Sequence, residues 1–196
     1  MNRRVLVIAL VVIAAALAGG LVWATQSESA GSEVAPIQSN YSVEKAQGFT
    51  RFPIYYAGNS VSGYPLTGVL HDSHPAEVIS FVYGDCTPPR DSEGHYDGGC
   101  ALPVEVQVWP ACYRNPGLYS GPSSPTPDET TVRGVPAAFY EGGNRLEIQT
   151  GTSTVVIFAN SPATVADALR GVNNNVPTGA DLPAPAAAAM TGDLKC

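Results

Sequence analysis

The sequence predicts an α+β domain built mainly on an antiparallel β-sheet. One helix of the C-terminal half packs on that sheet, disulfides brace it, and an N-terminal hydrophobic helix precedes it. Three observations carry this expectation. Between Phe52 and Ala159 the chain alternates apolar runs of about five to seven residues, rich in Val, Ile, Tyr and Phe, with turn residues, as short strands do. The 17 prolines and 20 glycines punctuate the chain too often for long helices. One stretch, Pro162 to Arg170, carries the start and stop signals of a helix.

In chain order, Arg3 and Arg4 precede an uncharged apolar stretch from Val5 to Ala24, long enough to cross a bilayer core of roughly 30 Å as a helix. Positive residues before it and Glu28 and Glu33 after it place the bulk of the chain outside the cytoplasm. Residues 1–24 are therefore a signal-anchor or a cleaved signal peptide. Residues 25–48 are polar and without periodicity, the composition of a flexible stalk. Residues 49–196 form the extracytoplasmic domain.

Within the domain the expected strands are Phe52 to Ala57, Leu66 to Leu70, Glu77 to Tyr83, Val104 to Trp109, Val135 to Tyr140, Leu146 to Gln149 and Thr154 to Ala159. Val104 to Trp109 alternates apolar with polar residues, giving one wet and one dry face, whereas Thr154 to Ala159 is continuously apolar and needs cover on both. Gly142-Gly143-Asn144 and Thr150-Gly151-Thr152-Ser153 read as tight turns between antiparallel strands. The helix Pro162 to Arg170 has Ser161 as its cap, Pro162 at its first position and Gly171 at its close; Val165, Leu169 and Val172 fall on one face. The Pro/Ser-rich Ser120 to Thr130 reads as a mobile loop. The tail from Asn173 has the composition of a disordered segment unless Cys196 ties it back.

The chain carries a formal charge of −7, or −9 once Arg3 and Arg4 are set aside, and has no basic cluster after Arg4. Such a domain repels phosphate backbones, which excludes nucleic acid as a partner. Cys86, Cys100, Cys112 and Cys196 all follow the apolar segment, and an even count on the exported side points to two disulfides. Three pairings are open. The turn-rich loop between Cys86 and Cys100 favours that pair, leaving Cys112 with Cys196; the spacing lacks any C-x-x-C element for zinc.

The chain has no G-x-S-x-G and no H-E-x-x-H, and no cofactor is implied. Its histidines fall in one region, His71 and His74 with His95 farther on, and would ligate a divalent metal if their loops converged. Glu141 and Glu147 form a conceivable carboxylate pair, although charged residues beside a turn are usually solvated. Tyr55, Tyr56, Tyr64, Trp109 and Tyr113 would make a binding surface for a peptide or glycan if they shared an exposed face.

The strings Pro53-Ile54-Tyr55-Tyr56, Gly63-Tyr64-Pro65-Leu66-Thr67, Val78 to Cys86, Gly98-Gly99-Cys100, Val106 to Cys112, Arg133 to Ala137, Thr154 to Ala159 and Leu169 to Asn173 resemble a group of exported or membrane-anchored actinobacterial proteins without an established activity. The resemblance implies a cell-envelope location and structural cysteines. The arrangement from Arg133 to Asn173 is also similar to units in extracytoplasmic domains that accompany anti-sigma factors, a likeness of fold alone.

The expected function is a non-enzymatic binding domain of the envelope, membrane-tethered or secreted, with an envelope protein, a peptide or a cell-wall glycan as partner. The alternative is an exported metal-dependent or hydrolytic enzyme using His71, His74 and His95.

Overall fold

The computed structural model describes residues 39–74, 76–85, 102–113, 126–191 and 193–196. The apolar segment Val5 to Ala24, Cys86, Cys100 and His95 lie outside the described residues. Among those described, no helix is long and apolar enough to cross a membrane.

The described elements are α1 (Val43–Gln47), β1 (Tyr55–Tyr56), β2 (Ser60–Val61), β3 (Tyr64–Asp72), β4 (Val78–Tyr83), β5 (Val104–Pro110), β6 (Asp128–Val132), β7 (Val135–Tyr140), β8 (Arg145–Thr150), β9 (Ser153–Ala159), α2 (Pro162–Ala168), β10 (Arg170–Gly171) and α3 (Ala187–Thr191). Eight strands form one sheet in the order β2-β3-β4-β5-β9-β8-β7-β6, and every neighbouring pair is antiparallel. The sheet is two meanders, β2 to β5 and β6 to β9, joined through their last strands. A separate ribbon pairs β1 with β10.

Strand register aligns the apolar residues in rows. Phe81, Val106, Ile157, Leu146 and Phe139 lie across from one another on one face, and Ile79, Val108, Val155, Ile148 and Ala137 form the next row. Because side chains alternate between faces, this register gives one continuous apolar surface. Over it lie Ile54 and Tyr55, the helix residues Val165 and Ala166, and Leu169 and Leu182, all buried in the same core. α2 packs against β9 and β8. The apolar run of β9 is covered on both faces, since Val156 on the opposite side is also buried.

Several expectations need correction. The helix ends at Ala168, not Arg170. Leu169 turns to an extended conformation (ψ 139°), and Arg170 and Gly171 pair with Tyr56 and Tyr55. Ser161 makes no side-chain capping bond. Past the helix end, the Arg133 guanidinium donates to Leu169 O (2.6 Å) and to the tail carbonyl of Pro177 (2.9 Å). Asp128 to Thr130, read as the end of a mobile loop, belong to the edge strand β6; an edge exposed on both faces carries no apolar alternation to betray it.

Residues 39–48, read as the end of the stalk, also join the fold. Tyr41 N donates to Val69 O (3.1 Å), the amide of Asn40 both accepts from and donates to the backbone of His71, and Ala46 of α1 is buried. Asn173, in a run that looks disordered by composition, receives the Ile54 N–H (2.7 Å) and donates to the carbonyls of Phe49 and Phe52. Gly171 is required beside it, because a Cβ there would collide with Asn174.

Candidate binding cleft

Cys112 and Cys196 are bonded, with Cα atoms 5.3 Å apart. β5 ends at Pro110, and one 3₁₀ turn (Ala111–Tyr113) carries Cys112 outward. Ala111 N donates to Thr152 O (2.8 Å), fixing that turn to the β8–β9 hairpin. The bridge brings Leu194 and Lys195 beside the turn and leaves a cleft of about 580 Å³. Its lining pairs an apolar part, Phe52, Pro110 and Leu194, with the exposed cations Arg51 and Lys195 and the ring of Tyr113, which is 45% exposed.

Arg51 is held rather than free. Its guanidinium donates to Glu77 Oε2, and the other oxygen of that carboxylate lies 3.0 Å from His71 Nε2. The His71 ring packs against Tyr41 (centroids 4.8 Å apart) and Phe49 (6.1 Å). Glu77 is therefore fixed from both sides, and Arg51 lines the cleft while its side chain keeps 67% exposure. This relay offers charge and position. Among the described residues no hydroxyl or thiol is bonded to it.

The other candidate residues are placed as follows. His74 engages a local turn, its N–H donating to Asp72 Oδ1 (3.0 Å) and its ring near Ser73 Oγ. Among the described residues no three His, Cys, Asp or Glu side chains gather in a way that would hold a metal. Tyr55 is fully buried, and Tyr56 stacks on Phe81 (5.4 Å) on the apolar face beneath the Arg170 guanidinium. Trp109 lies on the opposite face, its indole donating to Gln107, which donates in turn to Glu105. Tyr64 is exposed and packs over Gly84, where a Cβ would lie 2.8 Å from its ring. Of the five aromatics, only Tyr113 lines the cleft.

Glu141 and Glu147 do come together, but around Arg145. Its guanidinium lies 2.7 Å from Glu141 and 3.5 Å from Glu147, under the ring of Tyr140 (4.3 Å). Both carboxylates are thus engaged by one guanidinium, as in a structural charge cluster. The spacing Ser42-Val43-Glu44-Lys45 matches S-x-x-K, the pattern of some serine nucleophiles. Here Ser42 caps α1 by accepting the Lys45 backbone N–H, and the Lys45 ammonium lies over the Tyr41 ring.

Sequence reasoning missed Arg51, Glu77, Phe52 and Lys195. None has a motif. The only signal was indirect: the favoured pairing of Cys112 with Cys196 already implied that Lys195 sits beside Tyr113.

Comparison with known protein families, curated proteins and solved structures finds no match to this chain.

Proposed function

We propose that the chain is a non-enzymatic binding domain of the cell envelope that holds a short peptide segment in the cleft beside the Cys112–Cys196 bridge. The observation that carries this reading is the lining of that cleft: an apolar part and an exposed tyrosine next to two cations, one of them immobilised by Glu77. Such a surface suits a segment with a carboxylate next to an apolar or aromatic side chain, since the fixed guanidinium meets the carboxylate without losing much side-chain freedom. The apolar segment Val5 to Ala24 supports display outside the cytoplasm, and a disulfide supports an oxidising compartment.

Calorimetric titration of the full chain with short peptides of glutamate and phenylalanine tests this. Saturable binding is expected, weakened about tenfold or more by Tyr113→Ala or Arg51→Gln and unchanged by His74→Ala. Absence of binding at about millimolar peptide, or binding indifferent to Tyr113 and Arg51, would count against the proposal.

A further inference from the structure

The β6 edge of the large sheet is a second surface with recognisable chemistry, far from the charge pattern of the cleft. Among the described residues β6 pairs only with β7, and Asp128, Glu129, Thr130 and Thr131 are all exposed. Arg133 and Gly134, both with positive φ (47° and 82°), form a two-residue turn of the kind that closes a hairpin. Val132 and Val135 therefore exchange both backbone bonds, and the ladder alternates from there. Pro136, lacking an N–H, stands opposite Thr131, where the ladder needs none. By the same alternation the N–H and C=O of Glu129 and Thr131 point away from β7, off the edge of the sheet.

Hollows flank the strand on either face. One of about 280 Å³ is lined by Glu129, Gln149 and Met190. Another of about 450 Å³ is lined by Asp128 and Phe139. Asp128 and Glu129 are adjacent in a strand, so one carboxylate serves each face.

We infer that β6 takes up an extended, basic segment of a partner protein as an added strand. The outward backbone groups of Glu129 and Thr131 supply the ladder bonds, and Asp128 and Glu129 select lysine or arginine on each face. A chain of charge −7 draws such a segment towards it. The same carboxylates oppose the pairing of β6 with β6 of a second copy, because like charges across a ladder are destabilising.

The test uses the full chain and a fluorescein-labelled octapeptide of lysine and threonine, with a glutamate-for-lysine twin. Thr131→Pro removes an outward N–H without touching the β7 ladder; Thr131→Val keeps that N–H. The lysine peptide is expected to bind wild type and Thr131→Val alike, and about tenfold or more weaker to Thr131→Pro and Glu129→Lys. Saturation is expected to slow exchange of the Glu129 and Thr131 amides, and the glutamate twin is expected not to bind. Equal binding of the twin, affinity untouched by Thr131→Pro or Glu129→Lys, or amides unaltered at saturation overturns the inference. Amides already protected in a dimer that dissociates on dilution would also overturn it, in favour of a second copy.

Discussion

Tyr83 and Tyr55 both bury their rings in the core, yet only one hydroxyl is used. Tyr83 accepts the Ala57 N–H at 2.9 Å, whereas the Tyr55 hydroxyl has Thr150 nearby but no hydrogen bond of good geometry among the described residues. Tyr83→Phe is therefore expected to cost about 1–3 kcal/mol, because it strands a buried N–H. Tyr55→Phe is expected to be neutral or stabilising; denaturant melts of the two variants read the difference. Burial holds both hydroxyls above the ordinary tyrosine value of 10.0. The folded state thus keeps protons that the unfolded chain releases, so their contribution is complete below about pH 10 and is lost as pH rises above it. Melting temperature should fall above about pH 10, less steeply in Tyr83→Phe than in wild type. Arg133 shows the reverse economy. Its positive φ is unusual for a residue with a side chain, but the position lets its guanidinium meet the Leu169 carbonyl just past α2 and carbonyls of the tail at once.

The segment from Asn173 to Cys196 matters more as an element than its composition suggests. Thr150 and Gly151 both bond Pro183 O, Ala186 N donates to Gly151 O, and Leu182 enters the core. The bridge from Cys112 closes a span of 84 residues around this packing. In the chain-entropy account, which is model-dependent, Cys112→Ser with Cys196→Ser should cost about 4–5 kcal/mol. The same variant should raise amide exchange in residues 182–196 before that of β5 and β9, as hydrogen-exchange mass spectrometry would show.

The strands β4, β5, β7, β8 and β9 were legible because each places apolar residues on a covered face. β6 was not, because an exposed edge strand is held by backbone bonds that leave no apolar period. Nor was the second face of β8 legible: Glu147 reads as a solvated charge beside a turn, yet it is buried there with Arg145 and Gln149. The end of α2 escaped notice because Arg170 and Gly171 pair with Tyr56 and Tyr55, distant in sequence. The cleft could be foreseen only through its cysteines; Arg51 and Glu77 meet by tertiary folding across residues that carry no motif.

At the scale of the whole molecule, two four-strand meanders meet through β5 and β9. The two proposed sites carry opposite charge requirements: the cleft favours carboxylates, and the β6 edge favours lysine and arginine. Each can thus be tested without the other. The exported placement is tested by fusing, after Lys195, a phosphatase that is active only outside the cytoplasm. Activity is expected from the full chain and should vanish when residues 1–24 are removed. The most direct test of the binding account is amide chemical-shift mapping of the full chain, titrated with a peptide of glutamate and phenylalanine. Saturable shifts confined to Arg51, Tyr113, Thr152 and Lys195 and their neighbours are the expected result. Saturable shifts elsewhere, with these residues unmoved, would contradict it.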